Sequence, residues 1–216
     1  MFNRIRHLNG DIFAAVDVET TGNIVGFHEV IQVAILPLDN LLNEIDVLPF
    51  YINIKPQHPS RADSAAMRVN RLDLNKLCQT GMDPIAAADL LKDWMDKTLK
   101  LGYNKYGTKP CRFRPVGHNY AGYDCEMVRA WLDQGLSYEE FFHPHCHDTM
   151  LEGVALNTKL SMRGKQLHFD KVGLNAMCKK MGIEYEQGKH HDALYDTRLT
   201  AQLFKKLMNT DFVGLY

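Results

Sequence analysis

Residues 11–19, DIFAAVDVE, are an apolar run that carries two acids near its end, Asp17 and Glu19, and they predict a strand. Side chains alternate across a strand, so Ile12, Ala14, Val16 and Val18 share one face, and Phe13, Ala15, Asp17 and Glu19 share the other. Residues 29–38 (EVIQVAILPL) are β-branched and apolar and predict a second strand. Residues 46–54 (DVLPFYINI) predict a third, in which Pro49 marks an edge or a bulge. Short links join these strands, as antiparallel neighbours require. Helical spacing then takes over, in short pieces over 65–69 and 73–78. A longer helix is expected from 84 to about 99, with Ala87, Leu90, Leu91, Trp94 and Met95 on one stripe. Pro84 suits its first position and Asp83 its cap. Residues 113–117 predict a strand, 121–132 a helix and 145–148 another short strand. Thr149 and Glu152 have the spacing of a capping box. Helices are expected over 171–181 and 191–208. Strands followed by strand–helix alternation predict an α/β domain with a mixed sheet. We expect a single domain over residues 1–216, with its core at about 11–208.

Composition narrows the class without naming a chemistry. The chain has 216 residues, 45% of them apolar and 24% charged, and a formal net charge of -1. This suits a globular domain but gives no basic excess, so a nucleic-acid surface would have to be local. The five cysteines show no CxxC spacing, which predicts reduced thiols and a cytoplasmic setting. No stretch approaches the roughly 18 apolar residues of a membrane span, so no membrane association is expected.

Asp17 and Glu19 point the same way at the C-terminal end of a strand, where open α/β sheets place their ligands. In the helix over 121–132, Met127, Val128 and Trp131 form the apolar face, and Asp124 falls on it. In the last helix, Ala193, Thr200, Leu203 and Leu207 make a stripe that also holds Asp196. Each acid alone could be a cap or a solvated residue. Together they are carboxylates at positions patterned for burial, and burying one without a partner costs several kcal/mol. No Lys or Arg occupies those faces, and oxygen ligands select hard ions such as Mg²⁺ or Mn²⁺.

DVETTG (17–22), GHNYAGYD (117–124) and HHDALYDT (190–197) resemble the three motifs of the DEDDh 3′–5′ exonucleases. That family includes ribonuclease T, oligoribonuclease and the proofreading subunit of bacterial replicative DNA polymerase. The resemblance implies a ribonuclease H-like fold, a five-stranded mixed sheet flanked by α-helices. It implies two divalent metal ions, Mg²⁺ or Mn²⁺, held by Asp17, Glu19, Asp124 and Asp196. It also implies a catalytic histidine five residues before the last acid, His191, with His190 as a neighbour. Thr20, Gly22, Met67, Asn70 and Asn119 are the substrate-binding candidates. AAMRVNRLD (65–73) is similar to the loop that meets the terminal nucleotide in relatives, many of which read A-x-x-x-N-G; here Arg71 replaces the glycine.

The implied activity is metal-dependent hydrolysis of single-stranded or frayed DNA or RNA from a 3′ end, releasing nucleoside 5′-monophosphates. The partner is nucleic acid with a free 3′ end; the resemblance leaves open a DNA polymerase partner and a homodimer. Two other readings stand beside it: a catalytically weak nuclease-fold binding or proofreading module, and a phosphohydrolase of small nucleotides. His143, His145, Cys146 and His147 crowd too closely in FFHPHCHDT to close a zinc tetrahedron without a distant ligand. Asp148 is expected to cap the following helix. Lys100, Lys105, Lys109, Arg112 and Arg114 around Tyr103 and Tyr106 suit either a solvated loop or single-stranded nucleic acid.

Overall fold

The computed structural model describes residues 11–96, 112–186, 188–189 and 191–210. The sheet has five strands: β1 (Ile12–Thr20), β2 (Val30–Pro37), β3 (Phe50–Asn53), β4 (Phe113–Gly117) and β5 (His147–Asp148). Their order is β3-β2-β1-β4-β5. The first three are antiparallel neighbours, whereas β4 runs parallel to β1 and β5 parallel to β4. β1 is therefore central, and both of its edges are paired over its first half. The third strand is shorter than its sequence suggests, because it begins only after Pro49, which cannot donate to the ladder.

The helices are α1 (Ser64–Asn70), α2 (Leu74–Thr80), α3 (Pro84–Trp94), α4 (Asp124–Leu132), α5 (Tyr138–Phe141), α6 (Thr149–Met162), α7 (Leu174–Lys180) and α8 (Ala193–Asn209). They cover both faces of the sheet. Ile12, Ala14, Val16 and Val18 pack with Ala87, Leu91, Met127, Val128 and Trp131 of α3 and α4. Phe13 and Ala15 pack instead against Ala201 and Phe204 of α8. The alternation in β1 thus gives each face of the strand its own core. Truncating one of these large buried side chains to alanine costs about 2–5 kcal/mol. α8 also joins Leu199, Leu203 and Leu207 to Leu156 and Leu160 of α6 and Met177 of α7. This is the five-stranded mixed sheet and flanking helices of the ribonuclease H-like fold.

Two helix starts, one inward stripe and one capping box depart from the pattern, each for a local reason. Asp83 caps α3 as expected, but Leu90 is 39% exposed while its neighbour Leu91 is fully buried, so the inward stripe runs through Ala87, Ala88 and Leu91. Any extension of that helix beyond residue 96 lies outside the described residues. α4 starts at Asp124 because Asn119 is left-handed, at φ 63°, and a 3₁₀ turn occupies Tyr120–Gly122. α8 starts at Ala193 rather than 191, because His191 has φ 65° and Asp192 is the cap. Thr149 forms no capping box, because its hydroxyl donates to the Gly117 carbonyl; Asp148 caps α6 as expected, its carboxylate accepting from the Met150 and Leu151 amides.

Candidate active site

β1 and β4 pair only as far as Ala15 opposite Val116. Beyond that register β4 ends, and the β4-side edge of β1 is left without a neighbouring strand. Asp124, at the first position of α4, fills the gap and accepts from the Val18 amide at 3.3 Å. On the other edge β1 stays paired with β2 through Glu19 opposite Gln32, and a bulge follows between Glu19 and Thr20. The half-buried carboxylates of Asp17 and Glu19 thus stand where the parallel strands diverge, the crevice in which α/β sheets carry ligands.

α8 delivers the remaining groups, and its start is fixed to the sheet by polar clips. Gln32 is the polar residue in β2's apolar run and is buried. Its Oε1 accepts from the Ala193 amide at 2.9 Å, while its Nε2 donates to Asn53 on β3 at 2.8 Å. The Tyr51 hydroxyl donates to Asp192 at 2.6 Å, and Asp192 caps Tyr195. Buried Asp196 lies on the first turn of α8, and its Oδ2 accepts from the His191 amide at 2.9 Å. The left-handed backbone at His191 aims that exposed residue back towards β1.

Glu19, His191 and Asp196 come together as a result. One ligand atom from each lies within 4.8 Å of the others. Asp17 and Asp124 fall outside that tight trio but within its electrostatic reach. Burial, and then the charges of Asp124, Glu19, Asp196 and Asp192, push Asp17 well above the usual carboxylate range. Burial, followed by Asp196, Asp124 and Asp192, pushes Glu19 up to about 8. Burial raises Asp124 to about 7 despite the opposing backbone hydrogen bonds, with Asp148 adding to the rise. Like charges are thus held together, and burial and neighbouring carboxylates raise these groups. Such a site gains by taking up a cation, and a set dominated by carboxylate oxygens fits a hard divalent ion.

The substrate-binding candidates divide into two groups. Thr20 is buried, and it and Tyr123 both donate to the Gly22 carbonyl at 2.8 Å. A Cβ on Gly22 would sit 2.4 Å from the His28 ring, so this position admits only glycine without displacing that buried imidazole. Asn70 is buried and donates to the Thr20 carbonyl at 3.0 Å, which anchors the end of α1 beside β1. These contacts shape the rim around the acids. Met67 is half-buried on α1, whereas Asn119 is exposed, with its amide donated to Asp148. Gln32, Tyr51 and Tyr123 were not singled out by sequence pattern; a lone glutamine in an apolar strand was the available signal for the first.

Among the described residues, the trio of Glu19, His191 and Asp196 is the cluster with metal-binding spacing, and the histidines of FFHPHCHDT do not form another. Cys78, Cys125, Cys146 and Cys178 are free thiols. His190 and residues 100–111 of the Lys- and Tyr-containing stretch lie outside the described residues. No described helix is long and apolar enough to cross a membrane.

No family model matches the chain. It is 29% identical over 201 residues to Ribonuclease T of Buchnera aphidicola subsp. Acyrthosiphon pisum, covering 90% of this chain and 80% of that protein. It is 27% identical over 195 residues to the 3′–5′ DNA exonuclease Cap18 of Escherichia coli, covering 90% of each. Among solved structures, the zinc-bound E. coli exonuclease I–single-stranded DNA complex superposes with a TM-score of 0.66 and 19% identity. That match covers 91% of this chain but only 40% of the exonuclease I chain, and what it carries over is the fold.

Proposed function

We propose that the chain is a DEDDh 3′–5′ exonuclease that hydrolyses nucleic acid from a free 3′ end and releases nucleoside 5′-monophosphates, a reading supported by its similarity to Ribonuclease T and a 3′–5′ DNA exonuclease. The observation that carries this reading is the convergence of Glu19, His191 and Asp196 within 4.8 Å, beside Asp17 and Asp124. Two divalent ions, Mg²⁺ or Mn²⁺, would supply an activated water and stabilisation of the leaving 3′-oxygen. Asp17, Glu19, Asp124 and Asp196 would hold these ions.

His191 takes the proton of the attacking water. Its imidazole stands beside Glu19 and Asp196 on an exposed turn, within reach of a water held at those acids. Through one oxygen Asp196 also fixes the His191 backbone, which leaves the imidazole ring for the reaction. The Thr20–Gly22 turn and Asn70 form the edge against which the terminal nucleotide rests. The relatives' names split between RNA and DNA, so both polymers are proposed as substrates, the choice depending on how this edge treats the 2′-hydroxyl.

A 5′-labelled oligonucleotide incubated with Mg²⁺ or Mn²⁺ should give a shortening ladder that EDTA abolishes. Matched DNA and RNA strands, single and double, then rank the substrates. Intact oligomers alongside turnover of mononucleotide esters would instead mark a small-nucleotide phosphohydrolase, and no turnover of either would mark a binding module. His191→Ala should lower turnover by roughly 10²-fold or more while metal binding survives. Its closeness to Glu19 and Asp196 also suits a ligand role, and loss of metal affinity in this variant would assign it that role.

A further inference from the structure

The segment that leads into His191 is fastened to the body of the protein at three described points. The Glu186 amide donates to the Tyr195 hydroxyl at 2.6 Å, and the His191 amide donates to Asp196 at 2.9 Å. Between them, the carbonyl of Gly188 accepts from Arg71 Nη1 at 2.7 Å. Gly188 has φ 108°, a conformation that glycine enters freely, so the backbone there is intrinsically compliant.

Arg71 is well placed to restrain it. It is the residue that ends α1, and α1 is tied to the acid-bearing strand at both ends. The Asp63 amide donates to the Thr21 carbonyl at 2.7 Å, and buried Asn70 donates to the Thr20 carbonyl at 3.0 Å. An exposed arginine on this anchored turn therefore reaches across to the histidine-bearing segment. Arg71 is itself left-handed, at φ 58°. Glycine would suit that backbone better, so arginine does not serve the turn itself. A residue kept against its backbone preference points to a task for its side chain.

We infer that Arg71 is a positioning residue: through the Gly188 carbonyl it holds the segment so that the His191 imidazole stays beside Glu19 and Asp196. This rests on His191 being the proton acceptor. A charge-assisted bond to one carbonyl narrows the range of ring positions, and proton transfer is steeply sensitive to that range. The effect falls on turnover, since the acids that hold metal are carried by β1, α4 and α8 rather than by the tethered segment.

The test compares Arg71→Gly, Arg71→Lys, His191→Ala and the Arg71→Gly/His191→Ala double variant on a single-stranded oligonucleotide with Mg²⁺. Arg71→Gly should lower kcat about tenfold with KM changed less than about twofold, because misplacement of a reacting group costs rate rather than uniform binding. Its melting temperature should stay level or rise, as glycine relieves the left-handed backbone. Arg71→Lys should regain part of the lost kcat. The double variant should be no slower than His191→Ala alone, because Arg71 acts through that imidazole. Wild-type kcat in Arg71→Gly, with His191→Ala impaired, would overturn the tether and leave the proposed function standing. A raised KM with unchanged kcat, or a further tenfold loss in the double variant, would also overturn it. Full turnover in His191→Ala would overturn both the tether and the role of His191 as proton acceptor, and would leave the exonuclease reading standing.

Discussion

Asp124 and Asp148 each stand at the N-terminal end of a helix beside the carboxyl ends of the parallel strands, and they are almost equally buried, at 6% and 5% exposed. Their surroundings are opposite. Asp148 accepts from the amides of Asn119, Ala121 and Met150 at 3.0 Å and of Leu151 at 3.3 Å. Its charge is absorbed by backbone donors, and it locks the turn of the second motif to the start of α6. Asp124 accepts from Val18 at 3.3 Å, and burial drives its carboxyl up to about 7. One acid is satisfied by the fold; the other is left for a cation to satisfy. Burial alone does not mark a functional acid; the supply of donors around it does.

The largest expected effect follows from that contrast. Asp124→Asn and Asp17→Asn should each lower exonuclease turnover by about 10³-fold or more, since on the proposed reading each removes a metal ligand and forfeits several kcal/mol of transition-state stabilisation. In metal-stripped protein the same substitutions should leave the melting temperature level or raise it, because each removes a crowded, buried charge. A fall in melting temperature for Asp124→Asn would erase the distinction between the two acids.

Asp148→Ala should do the reverse. Losing the cap and the amide donors' acceptor should cost about 1–2 kcal/mol of stability, read by denaturant unfolding. Its turnover should fall less than that of Asp124→Asn. A variant as inactive as Asp124→Asn and fully stable would show that Asp148 binds the reacting centre.

A smaller effect should appear with pH. Glu19 and Asp124 are raised from about 4.5 and 3.8 to about 8 and about 7 in the folded protein. Between the ordinary and raised values the folded state binds more protons than the unfolded chain, so stability declines as pH rises. This contribution is intact below the ordinary carboxylate range and is lost through pH 7 to 8. Metal-stripped protein should therefore melt a few degrees lower at pH 9 than at pH 6, and saturating Mg²⁺ or Mn²⁺ should shrink that difference. Affinity for either ion should climb over the same window, because the ion displaces protons from these carboxylates. Calorimetric titration and thermal melts at fixed ionic strength would check both. A melting temperature that rises with pH in the metal-stripped protein would contradict the raised carboxyls.

Much of this arrangement could be read along the chain, because it depends on short-range geometry. The period of a strand placed Asp17 and Glu19 on one face, and the period of a helix placed Asp124 and Asp196 on inward faces. Those relations hold within a few residues wherever the segment folds. The family resemblance carried His191 and the ribonuclease H-like sheet. The interior of α3 was legible less well, since Leu90 and Leu91 are both leucines and only packing distinguishes them. Gln32 looked like an interruption of an apolar strand, yet it is the clip that seats α8. Arg71 registered as a departure from a glycine, with no sign of what its side chain would reach.

The sequence by itself determined which residues share a face, which segments are strands or helices, and that acids had been placed where apolar groups belong. Local backbone periodicity is enough for each of those. Only the tertiary structure decided that Glu19, His191 and Asp196 form the tight trio while Asp17 and Asp124 flank it. It alone decided that Asp148 is neutralised by amides, and that Arg71 meets Gly188 across 117 positions of chain. Those outcomes depend on where β4 leaves β1 and how α8 crosses the sheet, which are set by packing between distant segments.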